Sequence, residues 1–184
     1  MSLSTKGAVR PQTESRFKAE KLVVVFADIS GYAKVCAAID ETEIPHFLDR
    51  LYRAYSQRLQ AAGVRVVKFM GDACLGVAPV ERCSDVVDAV TALTKDIEAM
   101  EASMGLRFPL GTNVHIANVM TGNYEMNGSP VFDICGPGVN FTATMGNGPG
   151  IRLSEPVYRK LASNKRGVWH KQQQPTVYKY ASRG

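Results

Sequence analysis

The sequence predicts a single α+β domain, a ferredoxin-like βαββαβ sandwich. Three observations support this. The β-branched apolar run 21–28 (KLVVVFAD) is typical of an interior strand. Two amphipathic helical stretches follow at separate places in the chain, and a tight hairpin lies between them. The predicted order is therefore β-α-α-β-β-α-β, followed by smaller elements.

The first long helix is predicted to run to about Ala62 and to end at Gly63. Asp40 and Glu43 have the spacing of a capping box, and Pro45 suits a first helical turn. The apolar side chains of this segment fall on one helical stripe, which comprises Ile44, Phe47, Leu48, Leu51, Tyr55 and Leu59.

A hairpin follows this helix, with strands at 64–70 and 73–78 joined by the tight turn Gly71-Asp72. The second amphipathic helix is predicted at 84–100 and a further strand at 110–120. The remaining predicted elements are short: strands at 131–135, 150–153, 167–170 and 176–180, a weak helix at 138–145 and a helix at 156–162.

Composition is that of one globular domain, with 45% hydrophobic residues among 184. The net charge of +5 arises from scattered basic residues, which argues against a nucleic-acid-binding patch.

No apolar run approaches the roughly 18 residues that cross a bilayer, so we expect no membrane contact in this fragment. Residues 1–16 are expected to be a flexible leader, a cloning remnant plus linker, and 17–184 the folded domain.

The four cysteines, Cys36, Cys74, Cys83 and Cys135, lie singly in apolar surroundings without a C-x-x-C pair. This pattern indicates neither a zinc site nor a disulfide framework. Buried free thiols suit a reducing compartment, and we therefore expect a cytoplasmic protein.

Two acids stand where strands end, and they are candidate metal ligands. Asp28 closes the first strand and Asp72 occupies the hairpin turn. A single Asp at a strand end is more often a turn former, but in a ferredoxin-like sheet these two carboxylates can converge. Paired carboxylates suit Mg²⁺, which takes its other ligands from water and substrate phosphates. Backbone N–H groups of 30–32 (Ser30, Gly31 and Tyr32), just before a helix, could hold phosphate oxygens.

Four segments stand out in order along the chain: FADISGY at 26–32, KFMGD at 68–72, Val114-His115 followed by Gly122-Asn123, and DICG at 133–136 leading into Val139-Asn140. Together they resemble the motifs of the catalytic domain of class III adenylyl and guanylyl cyclases. The match follows the family order between about residues 21 and 180, which is nearly all of the chain after the leader.

The resemblance implies a role for each matching position. Asp28 and Asp72 would bind two Mg²⁺ or Mn²⁺ ions, with the backbone carbonyl of Ile29 as a further ligand. Lys68 and Asp133 fall where the family reads the purine, and this pair suits the N1 and N6 edge of adenine, whereas guanylyl cyclases tend to have Glu and Cys there. The implied substrate is ATP.

Two further positions bear on the reaction itself. Asn140 matches the asparagine that positions the ribose. Thr144 stands where the family usually has an arginine that stabilises the transferring phosphate. A hydroxyl cannot replace a guanidinium fork, so we expect the activity to be low. Arg152, or Lys171 near the family's late phosphate-binding lysine, could compensate.

The resemblance thus implies an adenylate cyclase that makes 3′,5′-cyclic AMP and pyrophosphate in intracellular signalling. In the family the site forms between two subunits, and this chain carries both sets of residues, so a head-to-tail homodimer is expected. A heterodimer whose partner supplies the arginine is the alternative assembly. The alternative functions are a silent cyclase-homology module that binds nucleotide or a partner, and a guanylate cyclase. A diguanylate cyclase and an RNA-binding module are disfavoured because their motifs are absent from the sequence.

Overall fold

An eight-stranded sheet organises the protein in the computed structural model, which describes residues 16–173 and 175–180. Its strands are β1 (Phe17–Ile29), β2 (Arg65–Met70), β3 (Ala73–Pro79), β4 (Leu110–Met126), β5 (Ser129–Cys135), β6 (Gly150–Ser154), β7 (Trp169–Gln172) and β8 (Val177–Tyr180). They lie in the order β2-β3-β1-β4-β6-β8-β7, and β5 pairs with β4 beside this row. The β4–β6 pair is parallel, whereas the other pairs in the described residues are antiparallel.

Five α-helices accompany the sheet in the described part of the chain: α1 (Tyr32–Ala38), α2 (Ile44–Ala61), α3 (Cys83–Met104), α4 (Pro137–Thr144) and α5 (Glu155–Lys160). The predicted α+β architecture is therefore confirmed. None of these helices combines the length and apolar character needed to cross a membrane.

Element boundaries differ from the sequence predictions where local backbone geometry decides them. Helix α3 continues to Met104, four residues beyond the predicted end, and stops at Gly105, whose φ of 63° is left-handed. Strand β4 continues to Met126 because it forms a hairpin with β5 through Asn127 and Gly128, both with positive φ. The carboxylate of Asp40 caps a short 3₁₀ turn before α2 by accepting the N–H of Thr42 at 2.9 Å.

The two faces of the sheet have different surroundings. On one face, alternate β1 residues such as Val23 and Val25 pack against α2 and α3 in the main core. The predicted α2 stripe supplies this core with Phe47, Leu51, Tyr55 and Leu59, all at 2% exposure or less. On the other face, Val24 and Phe26 belong to a smaller apolar cluster that α4 and β5 cover in part. We call this second face the open face, and it carries the candidate site.

Two expectations concern residues at the margins of the fold. Of the predicted leader, 1–15 lie outside the described residues, and Arg16 is exposed. Cys74 and Cys83 are buried free thiols as expected, but Cys36 is half-buried and Cys135 is exposed, so burial was wrongly expected of the last. Cys135 ends β5 at the rim of the open face, where only one side of the strand is packed.

Candidate active site

The ends of β1 and of the β2–β3 hairpin bring Asp28 and Asp72 together. Strands β1 and β3 are hydrogen-bonded neighbours, so the hairpin turn lies beside the end of β1. The Oδ2 atom of Asp72 accepts the N–H of Ile29 at 3.2 Å. Gly71 precedes Asp72 with a φ of 62°, as the first position of a tight two-residue hairpin requires.

The charge of Asp28 is poorly compensated by the protein. Burial raises the pKa of the Asp28 carboxyl above its ordinary value, and the nearby negative charge of Asp72 raises this pKa further. The guanidinium of Arg152 opposes both effects but does not cancel them. Two half-buried carboxylates that repel each other form a site that a cation would stabilise.

The backbone packs closely beside Asp28. Gly111 lies opposite Asp28 in the β1–β4 ladder. A Cβ atom on Gly111 would lie 2.6 Å from the carbonyl oxygen of Gly148 and 3.0 Å from Oδ1 of Asp28. In the described residues no three His, Cys, Asp or Glu side chains cluster as a closed metal cage. This open, two-carboxylate arrangement fits Mg²⁺, which keeps several positions for water and substrate phosphates.

Two tyrosines of α2 hold the turn that carries Asp72. The hydroxyl of Tyr52 donates to the carbonyl of Gly71 at 2.6 Å, and the hydroxyl of Tyr55 donates to the carbonyl of Asp72 at 3.1 Å. Burial raises the pKa of both phenols, and the charge of Asp72 raises them further, so both hydroxyls remain protonated donors. Tyr55 was expected only as a core residue, and no sequence signal marked either hydroxyl.

The predicted phosphate-binding segment lies between β1 and α1. The N–H of Ser30 donates to the carbonyl of Pro109 at 2.8 Å, so this group is engaged in the structure. Gly31 is the N-cap of α1, with a φ of 90°, and the first-turn N–H groups of a helix have no intrahelical acceptor. The ring of Tyr32 stacks on Phe47, and burial together with a hydrogen bond to Cys36 raises the pKa of its hydroxyl to about 12.

Lys68 and Asp133 form an ion pair within the chain. The Nζ atom of Lys68 lies 2.6 Å from Oδ2 of Asp133, and these side chains are 40% and 31% exposed. The other carboxylate oxygen of Asp133 accepts the N–H of Ile134 at 2.8 Å. The pair connects β2 with β5, which are not neighbours in the sheet, because the β4–β5 hairpin curls over the open face.

A cleft of about 490 Å³ lies next to this ion pair. Its lining is mainly apolar and includes Phe26, Lys68, Met70, Leu75, Val139 and Asn140. An apolar slot with a few polar groups at one edge suits a flat heterocycle. A separate groove of about 310 Å³ lies between the start of α2 and the end of α3 and contains none of the predicted site residues.

Thr144 occupies an exposed position in the last turn of α4. Its hydroxyl donates to the carbonyl of Asn140 at 2.9 Å, so it bonds along its own helix. Arg152, one proposed substitute for the family arginine, lies on β6 and is 6% exposed. Its guanidinium donates to the carbonyls of Asn147 and Gly148 and makes longer contacts to those of Pro149 and Gly150. Arg152 therefore holds the 147–150 loop beside Asp28.

Strand register distinguishes two lysines near the C-terminus. Lys171 pairs with Tyr178, whose ring stacks on Tyr158 of α5, so this row belongs to the helix-covered face. Lys179 pairs with Arg152 and therefore shares the face that carries Asp28. The Cε atom of Lys179 would lie 3.2 Å from a Cβ on Gly150, so the side chain extends toward the 147–150 loop. Sequence reasoning considered Lys171 and did not consider Lys179.

Comparisons with known proteins agree with this fold. The family profile described as "Adenylate and Guanylate cyclase catalytic domain" matches residues 15–178. An adenylate cyclase of Mycobacterium tuberculosis is 27% identical over 154 residues, which are 78% of this chain and 34% of that protein. The chain thus spans about a third of the length of this curated relative.

Solved structures provide a second comparison. The adenylyl cyclase CyaB from P. aeruginosa superposes with a TM-score of 0.74 at 17% identity, covering 90% of this chain and 96% of that one. A dimeric guanylyl cyclase domain of the RhoGC fusion protein from Blastocladiella emersonii gives a TM-score of 0.78 at 19% identity, covering 89% and 96% respectively. At these identities the structural likeness concerns the fold.

Proposed function

The chain belongs to the adenylate and guanylate cyclase catalytic domain family, and from this premise we propose that it converts ATP to 3′,5′-cyclic AMP and pyrophosphate. The supporting observation is one arrangement on the open face. Asp28 and Asp72 converge at the end of β1, and the Lys68–Asp133 pair stands beside a mainly apolar cleft of about 490 Å³, which has room for a purine.

The two carboxylates and the backbone carbonyl of Ile29 are the groups that would hold two Mg²⁺ or Mn²⁺ ions. When bound, these ions make the ribose 3′-hydroxyl more acidic and neutralise charge on the triphosphate. The protein prepares this site by keeping Asp28 half-buried next to Asp72, so that each carboxylate gains from a cation. Gly111 lets the carbonyl of Gly148 approach Asp28 closely, because any side chain at this position would clash with both groups.

The Lys68–Asp133 pair is proposed to select adenine. The ammonium of Lys68 donates to N1 and the carboxylate of Asp133 accepts from the N6 amino group, while both groups keep enough hydrogen-bonding capacity to remain paired. Guanine presents a donor at N1 and an acceptor at O6, so the same pair would face it with two mismatches. Buried mismatches of this kind give strong discrimination.

The proposed reaction then needs a correctly oriented ribose and no dedicated protein base. Asn140 is proposed to orient the ribose so that its 3′-oxygen lies in line with the α-phosphorus. A bond forms between these two atoms, and the bond from the α-phosphorus to the bridging β-phosphate oxygen breaks. Pyrophosphate leaves and the hydroxyl proton passes to solvent. Lys179 faces the side of the sheet where the triphosphate would lie.

We further propose a head-to-tail homodimer acting in the cytoplasm. Two large apolar side chains of the open face, Met70 and Phe141, are 41% and 38% exposed in the single chain, and a second copy would cover them. The RhoGC guanylyl cyclase domain is described as a non-canonical dimer, so it supports dimer formation by this fold and not the head-to-tail arrangement itself. The free thiols of Cys74 and Cys83 suit a reducing compartment.

A second candidate, favoured by Thr144, is a cyclase-homology module that binds nucleotide without turning it over. The alternative assembly, a heterodimer in which a different cyclase chain supplies the arginine, would by contrast be active. The Asp28–Asp72 pair and the Lys68–Asp133 pair favour the active enzyme, because they are the side chains that turnover requires.

The test is a cyclisation assay on the purified chain with Mn²⁺ and either ATP or GTP, with products quantified by mass spectrometry. We expect cyclic AMP in excess of cyclic GMP and a rate per chain that rises with protein concentration until dimers saturate. An excess of cyclic GMP would identify a guanylate cyclase. Negligible product from both nucleotides at high Mn²⁺ and protein concentration would refute the active enzyme, and binding of 3′-deoxy-ATP would then support the silent module.

A further inference from the structure

The turn that carries Asp72 is held by α2 through two side chains that do not belong to the metal site itself. Tyr52 and Tyr55 are three residues apart and therefore project from one side of the helix. Their hydroxyls reach consecutive carbonyls of the turn, at Gly71 and Asp72. The carboxylate of Asp72 is restrained separately, by the N–H of Ile29.

Aromatic packing fixes the direction of both hydroxyls. The ring of Tyr52 stacks on Phe69 with centroids 4.0 Å apart, and Tyr55 stacks on the same ring at 6.5 Å. Phe69 lies on β2, two residues before the Gly71–Asp72 turn. The strand that supplies the ring therefore also leads directly into the turn that the tyrosines hold.

We propose that Tyr52 and Tyr55 are positioning residues that fix the Gly71–Asp72 turn so that the Asp72 carboxylate can bind a divalent cation. This inference rests on the proposed function of Asp72. An exposed two-residue turn with a glycine has considerable freedom. Two hydroxyls on its carbonyls and one N–H on its carboxylate restrict the position of Asp72 relative to Asp28.

The hydroxyls can be removed without removing the rings. Tyr52→Phe and Tyr55→Phe keep the stacks on Phe69 and delete one hydrogen bond each. The matched control is Tyr158→Phe, because Tyr158 is also stacked, at 3.7 Å on Tyr178, but lies on α5 and makes no hydrogen bond to the Gly71–Asp72 turn in the described residues.

The experiment measures Mn²⁺ binding by electron paramagnetic resonance titration of the full chain with 3′-deoxy-ATP, which has no 3′-hydroxyl and cannot cyclise. Partners of metal ligands typically change metal affinity by 10- to 100-fold, so we expect each tyrosine variant to bind Mn²⁺ about tenfold more weakly and Tyr158→Phe to match the wild type. In the cyclase assay, the half-saturating Mn²⁺ concentration should rise while the KM for ATP at saturating Mn²⁺ stays unchanged.

Unchanged Mn²⁺ affinity in Tyr52→Phe, with or without a lower thermal midpoint, would overturn the proposal and leave the tyrosines a purely structural role. Tyr55 is fully buried, so if Tyr55→Phe fails to fold, the half-buried Tyr52 decides the question alone. Failure of the proposed function is distinguishable, because the wild type itself would then form no cyclic AMP, whereas failure of this proposal leaves wild-type activity intact and the Mn²⁺ affinity of the variants unchanged.

Discussion

Replacing Asp28 by asparagine should stabilise the metal-free protein while abolishing its activity. The folded protein holds the Asp28 carboxyl at a raised pKa, first through burial and then through the charge of Asp72. Ionised Asp28 therefore destabilises the fold at neutral pH. Asparagine has nearly the same shape and carries no charge at any pH, so Asp28→Asn removes the repulsion without opening a cavity.

The magnitude is modest because Asp28 is only half-buried and solvent screens its charge. We expect a gain of about 1 kcal/mol in the free energy of unfolding. At roughly 2 cal/mol/K of unfolding entropy per residue, a chain of this size gains about 2–4 °C in its thermal midpoint. Loss of a metal ligand should lower cyclase activity by about hundredfold or more.

The difference in stability between the wild type and Asp28→Asn should depend on pH. A carboxyl whose pKa is raised on folding contributes stability while it is protonated, and this contribution is lost as pH rises through the raised value. Wild type and Asp28→Asn should therefore have similar midpoints in acid and diverge as pH increases to neutrality. The assay is thermal unfolding in EDTA across this range, repeated with Mn²⁺.

Mn²⁺ should reverse the order by stabilising the wild type more than Asp28→Asn, since ligand binding to the folded state raises its stability. A midpoint for Asp28→Asn below that of the wild type in EDTA at neutral pH would refute the reasoning. It would mean that the attraction between Asp28 and Arg152 outweighs burial and the charge of Asp72.

Three further tests address the substrate contacts. Lys68→Glu with Asp133→Cys should shift product toward cyclic GMP when ATP and GTP compete, because the hydrogen-bonding pattern at the purine edge changes. Thr144→Arg should raise kcat by about a hundredfold if the chain lacks a transition-state donor, and an unchanged kcat would show that the charge is supplied elsewhere. Lys179→Ala should lower kcat/KM for ATP by about tenfold, whereas Lys171→Ala, its control on the opposite face, should leave it within about twofold; equal effects would contradict the strand register.

Part of the site could be predicted from the sequence because it depends on local patterns. The β-branched run fixed Asp28 at a strand end, and Gly71-Asp72 between two strands fixed the second acid in a turn. The ferredoxin-like order then placed these elements side by side, as the 3.2 Å contact between Asp72 and Ile29 shows. For Lys68 and Asp133, which are 65 residues apart, the pairing depended on the family resemblance.

Other parts of the site depend on tertiary register, which short patterns do not specify. Lys171 and Lys179 both lie in short terminal strands, and a shift of one residue exchanges their faces. The turn between these strands is rich in glutamine and gives no clear register signal. Tyr52 and Tyr55 look like ordinary members of an amphipathic helix, and the positions of their hydroxyls follow only from the packing of α2 on β2.

The register of these strands changes how the missing arginine should be understood. Arg152 cannot serve as the mobile phosphate ligand, because its guanidinium is bonded to the carbonyls of the 147–150 loop. Lys179 lies beside it, and a lysine supplies a point charge without the planar fork of arginine. A site built on Lys179 would bind the triphosphate but stabilise the transition state less well. The exposed position of Thr144 leaves room for a guanidinium, introduced by mutation or contributed by a partner chain. One fold is therefore consistent with slow turnover in the homodimer and with faster turnover in a heterodimer.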